Sequence, residues 1–354
     1  MRKEPLNHAA VIVRAAELAD AEGFSTVSTA GEAKDYRGAP GVANRGRYPL
    51  GLGLRVPAII VSPWSRGGFV CSEVFDHTST LRFLEKRFGV REPNISDWRR
   101  AVCGDLTSAF DFKSPNRDWM SLALPDTADY MQRIARSLAS PGLTIPAKQG
   151  PSRQDEGRRP SRPLPYRLSA DARIEPGRLW IDLGNNGGTG AVFQIFDAAR
   201  SAGPWRFTLG AGERYAAGHW NGETPLENYD LIAHGPNGFY RRFAGRGNQT
   251  LAVALTETAG GDIVLNFVNS GTELRKVEVA MDEPYPAAEG ERRRMIAVGP
   301  GQSMRSVWKL AASDCWYSLT VSAEGLPDFL RHFAGHVETG SASRTDPAIG
   351  PMRL

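Results

Sequence analysis

Phe75-Asp76-His77-Thr78-Ser79 sets a carboxylate beside an imidazole at the head of a helical stripe, shortly after the apolar run Arg55-Val56-Pro57-Ala58-Ile59-Ile60-Val61-Ser62. With the run as a strand, Asp76 and His77 lie in a loop at the strand's carboxyl end, where α/β proteins place their sites. They are the best catalytic candidates in the chain. The same residues have a structural reading: Asp76 or Thr78 caps the helix and His77 bonds a neighbouring loop. Ser65-Arg66-Gly67-Gly68 has the composition of a small anion-binding turn, in which Arg66 could meet a phosphate; an ordinary turn is the plainer account. Arg99 and Arg100 read as ion-pairing residues that pin their loop.

Other chemistries find less support. None of the histidines (His8, His77, His219, His234, His332, His336) shows the HExxH spacing of a zinc helix. His332 and His336 are four apart, but with Gly335 between them at the end of a β-rich segment. A GxSxG elbow and a GxxxxGK[ST] loop are absent. Cys71, Cys103 and Cys315 form no CxxC; Cys71 and Cys103 could form one bridge, or stay free thiols.

The elements that would position these residues change along the chain. Val11, Ala15 and Leu18 give residues 8–22 a helical stripe stopped at Gly23, and residues 25–50 read as loop. The 55–62 run suits a strand buried on both faces of a mostly parallel sheet. Leu81, Phe83, Leu84 and Phe88 mark a helix over 78–88, ended by Gly89, so the unit is α/β. Residues 126–138 read as a helix capped by Asp126 or Thr127. Residues 141–176, rich in Pro, Arg and Ser, read as a linker whose arginines face solvent or lipid phosphates. From residue 178 short alternating runs with turn signals about every ten residues predict β-sandwiches.

Those runs repeat. Asn186-Gly-Gly-Thr189 aligns with Asn269-Ser-Gly-Thr272, and Gly210-Ala-Gly212 with Gly299-Pro-Gly301. Trp220 aligns with Trp308, Tyr229-Asp-Leu231 with Tyr317-Ser-Leu319, and Phe243-Ala-Gly245 with Phe333-Ala-Gly335. The order never breaks, which predicts a tandem duplication. The domains expected are an α/β unit over 1–140, the linker, β-sandwiches over 177–250 and 251–340, and a tail. Trp205, Trp220, Trp308, Trp316 and Phe239 could serve a binding surface, but matched positions in a repeat favour core.

Composition is that of a soluble globular protein: 354 residues, 41% hydrophobic, 23% charged. A net charge of +4, from 43 basic and 39 acidic residues, gives no case for nucleic-acid binding. No run reaches the roughly 20 apolar residues of a membrane helix. The first residues lack the apolar core of an export signal, so the chain as written is expected in the cytoplasm.

The segment from Gly51 to Phe112 closely resembles the bacterial phospholipase C family of the secreted, phosphocholine-preferring type, which belongs with metal-dependent acid phosphatases. RVPAIIVSPWSRGG, FDHTS and EPNISDWRRAVCGDLTSAFDF carry the resemblance, and the tandem β-repeat ending in FYRRFAGR and DFLRHFAGH extends it to residues 24–349. It implies an alkaline-phosphatase-like catalytic layer followed by two β-domains, and hydrolysis of phosphatidylcholine to diacylglycerol and phosphocholine. It also implies a divalent metal, a nucleophile and acidic ligands in a preceding half that these residues do not match. The chain is therefore expected to hold no metal or cofactor itself, to be inactive alone, and to have that half and phospholipid as partners. In an intact enzyme His77 could contribute to the phosphate or headgroup pocket. The alternative is a non-catalytic module whose β-domains bind a lipid surface or a partner protein.

Overall fold

The computed structural model describes residues 56–115, 126–138, 157–175, 178–200, 202–217, 228–247, 249–286, 292–326 and 328–349, with a few isolated positions besides. The helix expected over 8–22 and most of the loop expected over 25–50 lie outside the described residues.

The apolar run after Arg55 is not a strand. Val56, Ile59 and Val61 are 71%, 89% and 90% exposed, and residues 56–61 join no sheet. A lone extended segment has no neighbour to take its N–H and C=O groups, so hydrophobic sequence alone does not make it a buried strand. Helix α1, His77–Phe88, follows the expected pattern. Asp76 Oδ1 accepts from Thr78 N at 2.9 Å, Asp76 N donates to Ser79 Oγ at 3.0 Å, and Gly89 closes the helix with φ 70°. Lys86 and Arg87 occupy its last turn, where the helix dipole favours cations. Helix α2, Asp97–Val102, is capped by Ser96 and buries Trp98 and Val102. Helix α3, Tyr130–Leu138, starts after a turn in which Asp126 accepts from Ala128 N, and buries no residue.

The stretch expected to be a linker is folded from residue 157 onward. Pro160–Ser161 pairs with Ser343–Arg344, and Leu164, Tyr166, Leu168 and Ala170 enter the core. The density of Pro and Arg hides an inward alternation of period two. In the expected tail, Ser343–Arg344 is held by the same pairing.

Two copies of one seven-stranded unit follow. The first comprises β1 (Leu168–Glu175), β2 (Arg178–Asn185), β3 (Ala191–Asp197), β4 (Ala202–Leu209), β5 (Arg214–Ala217), β6 (Asn228–His234) and β7 (Tyr240–Arg246). The second comprises β8 (Leu251–Glu257), β9 (Ile263–Asn269), β10 (Arg275–Met281), β11 (Arg293–Val298), β12 (Ser303–Trp308), β13 (Trp316–Ala323) and β14 (Leu330–His336). Each copy forms a three-stranded sheet, β1-β2-β5 or β8-β9-β12, facing four further strands. Those four do not stay within their copy. β7 pairs antiparallel with β14, giving one eight-stranded sheet in the order β11-β10-β13-β14-β7-β6-β3-β4. One buried cluster spans both copies, so the sandwiches are fused through a sheet rather than strung on a thread.

Local chemistry repeats as faithfully as topology. Asn185 Nδ2 donates to the carbonyls of Thr189, Leu209 and Gly210, and Gly187 N donates back to its Oδ1. Asn269 does the same with Glu273, Val298, Gly299 and Gly271. Asn185, not Asn186, is therefore the counterpart of Asn269, a one-residue correction to the sequence alignment. The turns at Gly212 and Gly301 need left-handed backbone, φ 79° and 66°, which a glycine adopts without strain.

Candidate functional site

The FDHTS segment caps and opens α1 and is tied by Arg99 to α2, which fastens it to the first β-copy. Gly190 N and Thr189 Oγ1 donate to the Ala101 carbonyl at 2.8 and 3.1 Å, and Trp98 Nε1 donates to Thr208 Oγ1 at 3.1 Å. A side chain at Gly190 would put its Cβ 2.8 Å from that carbonyl oxygen, which is why a glycine stands there.

Asp76 is occupied by structure. Beyond its cap bonds it takes Arg99 Nη1 at 2.5 Å. Burial alone would raise its pKa, but the hydrogen bonds from Thr78 and Arg99 and the Arg99 charge together hold it below the usual carboxylate value. His77 is exposed and makes no hydrogen bond or ion pair with the described residues, so it neither bonds a neighbouring loop nor joins Asp76 in a dyad. Arg66 lies half-buried in a turn whose Gly67 and Gly68 have φ 114° and 66°, and it already has an interaction partner. Arg100 forks onto Glu85 at 2.8 and 2.9 Å and reaches the Glu92 carbonyl at 2.6 Å. Arg99 and Arg100 are thus the ion-pairing residues the sequence suggests.

The cysteines are free thiols. Burial raises the pKa of Cys71 and pushes that of Cys103 up to about 12, which leaves little thiolate. Glu73, raised by burial despite its bond from Ser108, lies beside Gly104.

Histidines in the second copy form two polar clusters. His332 Nε2 meets Ser318 Oγ at 2.8 Å and Asp282 Oδ2 at 3.2 Å; one nitrogen faces both partners, which is not a relay. His336 Nδ1 meets Glu338 at 2.9 Å and its Nε2 meets Ser343 Oγ at 3.0 Å, but that hydroxyl is spent on the Asp314 carbonyl. Four residues apart on β14, the two imidazoles are separated by about 13 Å of strand and cannot share an ion. Among the described residues no group of three or more His, Cys, Asp or Glu could hold a metal. The carboxylates here are committed to arginines, caps, hydroxyls and single histidines, an arrangement that does not fit a metal site.

What sequence reasoning missed is a pair of buried arginines, Arg241 and Arg331, 1% and 3% exposed. Arg241 Nη2 donates to Tyr317 Oη and Nη1 to the Ala334 carbonyl. Arg331 does likewise with Tyr229 and Ala244. The signal was legible: an arginine two positions before Phe-Ala-Gly in both copies. Their role is architectural.

The fold defines a protein built on a duplicated β-sandwich whose two copies share one sheet. A family model described as "Bacterial phospholipase C, C-terminal domain" matches twice, at residues 160–246 and 250–336, and "Phosphoesterase family" matches residues 2–91. Non-hemolytic phospholipase C of Burkholderia pseudomallei is 42% identical over 92% of this chain and 47% of its own length. Non-hemolytic and hemolytic phospholipases C of Pseudomonas aeruginosa are 43% and 39% identical, over 44% and 48% of their lengths. The chain belongs to the bacterial phospholipase C family. It spans about half the length of the curated relatives it matches.

Proposed function

We propose that this chain supplies the C-terminal part of a phosphoesterase domain and the tandem β-domains of a phospholipase C, an enzyme that cleaves the glycerol–phosphate bond of phosphatidylcholine to give diacylglycerol and phosphocholine. The observation that carries this reading is the double match of the C-terminal-domain model, placed on the two structural copies in order, beside a phosphoesterase match. In this reading the residues around α1 and α2 are the rim of an alkaline-phosphatase-like α/β layer. The nucleophile and divalent metal belong to the half of the relatives that this chain does not match. The enzyme acts on lipid outside the cytoplasm, its working compartment tested by fractionating cells that express it. Of the aromatic candidates for the binding-module alternative, Trp308, Trp316 and Phe239 are buried and Trp205 is partly buried against the core, while Trp220 lies outside the described residues.

Phosphodiester hydrolysis needs on the order of 20 kcal/mol of transition-state stabilisation, which an exposed imidazole and a capped carboxylate do not supply. The purified chain is therefore expected to release no phosphocholine from phosphatidylcholine, with or without divalent metal, and to contribute to turnover when combined with the unmatched half of a relative. Turnover by the chain alone that disappears in His77→Ala would overturn this reading. So would a reconstituted enzyme indifferent to the presence of this chain.

A further inference from the structure

Apart from the α2 docking, the N-terminal segment meets the tandem at a second joint. Val70 N donates to the Pro160 carbonyl and Arg162 N to the Val70 carbonyl, both at 2.9 Å, while Ser161 pairs with Ser343. A cavity of about 150 Å³ opens there, bounded by Ser72, Arg159, Ser161, Arg162, Trp316 and Thr345 among others. That is the order of volume that admits a benzene-sized guest.

Two cations at this cavity have no carboxylate partner among the described residues. The Arg162 guanidinium stacks 4.0 Å from the centre of the Phe69 ring, and its buried Nε has no hydrogen-bond partner. Among the described residues neither the Arg159 nor the Arg162 side chain is hydrogen-bonded or ion-paired to a carboxylate. Their neighbour Arg158 is paired with Asp314 at 2.5 Å. The cavity also contains carboxylates, but these are turned onto protein donors. Glu338 accepts from Leu164 N, Asn237 Nδ2 and His336 Nδ1. Asp346 accepts from Tyr285 Oη and Ala348 N. Beside the apolar side chains of Val70, Leu164, Trp316 and Ile349, the wall carries the two guanidinium groups and the hydroxyls of Ser72, Ser161 and Thr345. Guanidinium N–H groups match the oxygens of a phosphate in a way a point charge does not.

We propose that this joint cavity binds a phosphate group, with Arg159 and Arg162 as its principal contacts and the hydroxyls of Ser72, Ser161 and Thr345 beside them. The phosphate is either that of a small soluble ester or the phosphodiester of a lipid headgroup. Bound there, it touches residues from both sides of the joint and so ties the N-terminal segment to the tandem. The inference does not depend on turnover, so it stands or falls apart from the catalytic reading.

The test uses the 354-residue chain in thermal unfolding and calorimetric titrations with sodium phosphate and phosphocholine, against sodium chloride at matched ionic strength. Phosphate should raise Tm where chloride does not. Its half-saturating concentration should rise at least tenfold in Arg162→Gln and in Arg159→Gln, and stay unchanged in Arg246→Gln, which touches an exposed pair elsewhere. Arg159 is exposed, so Arg159→Gln carries the test if Arg162→Gln fails to fold. Co-sedimentation with phosphatidylcholine vesicles separates the sources. Binding competed by phosphocholine identifies a headgroup, and phosphate binding without vesicle binding identifies a soluble ester; either supports the site. An equal response to chloride, no response in the folded wild type, or a phosphate response that survives the double variant would overturn it.

Discussion

Arg241 of the first β-copy donates to the Tyr317 hydroxyl of the second at 2.8 Å, and Arg331 of the second copy donates to Tyr229 of the first at the same distance. Each copy thus completes the other's buried arginine. Phe239 and Phe329 lie against the guanidinium faces, 4.2 Å from each arginine. Removing a hydroxyl leaves a buried N–H unpaired, which costs about 1–3 kcal/mol. Gln249 Oε1 lies 3.4 Å from Arg331 Nη2 and can take over when Tyr229 is lost; Arg241 Nη2 has no second hydrogen-bond acceptor among the described residues, and Asp171 and Glu257 act on Arg241 through charge alone. Denaturant unfolding should therefore show Tyr317→Phe more destabilised than Tyr229→Phe. Equal losses would refute the asymmetry.

Stability of the tandem should fall as pH rises from about 4 to about 7. Burial, only partly offset by Arg241, lifts Asp171 to about 6, and burial outweighs Arg241 and Arg167 to lift Glu257 to about 7. Both values lie above those of the unfolded chain, so the folded state holds more protons in this window, and the stabilisation present at its acid end is lost through it. Allowing for partial exposure, the loss is about 2–4 kcal/mol. Glu257→Gln should flatten the slope of midpoint against pH; an unchanged slope would exclude Glu257 as its source.

The α1–α2 segment should respond in the opposite direction. Hydrogen bonds from Arg100 and the Glu92 amide hold Glu85 at about 2. Its contribution is complete above the ordinary carboxylate range and disappears as pH falls toward 2. Fluorescence of Trp98, buried on α2, should report loosening of this segment at pH 3 while the sandwich strands stay protected from hydrogen exchange. In Arg100→Gln that loosening should already be present near neutral pH.

Concentration-dependent self-association is expected from the uncovered apolar surface. Val56, Ile59 and Val61, with Leu84, Phe88 and Val90, are all exposed. Sedimentation of Ile59→Asp and Phe88→Asp should show association at least tenfold weaker, with the denaturant midpoint of the tandem unchanged. A drop in that midpoint would mean these side chains pack against the sandwiches.

Local rules carried the sequence reading furthest where neighbours along the chain decide the outcome. FDHTS contains its own capping box, and α1 forms where the stripe places it. The strand pattern and the turns at Gly212 and Gly301 are likewise local. Long-range pairing was not legible. Nothing local distinguishes Val56–Val61 from a buried strand, because that depends on partners elsewhere. The fusion of the copies rests on β7 meeting β14, and the same limit made a linker of residues that bury Tyr166 and Leu168. At the candidate site the helix cap at Asp76 was legible in the sequence, but only geometry shows Asp76 also given over to Arg99, and His77 left in solvent.

The register of β7 on β14 has a further meaning. Arg241 stands opposite Phe333 and Phe243 opposite Arg331, with Arg242 facing His332 at the centre. Exchanging the strands reproduces the same pattern, which is the mark of an isologous contact. Either strand alone would be an open edge with self-complementary side chains. The tandem is thus a pseudo-twofold dimer of related units written into one polypeptide. The connection at residues 247–250 replaces, by effective concentration, the second-order encounter that two separate β-domains would need.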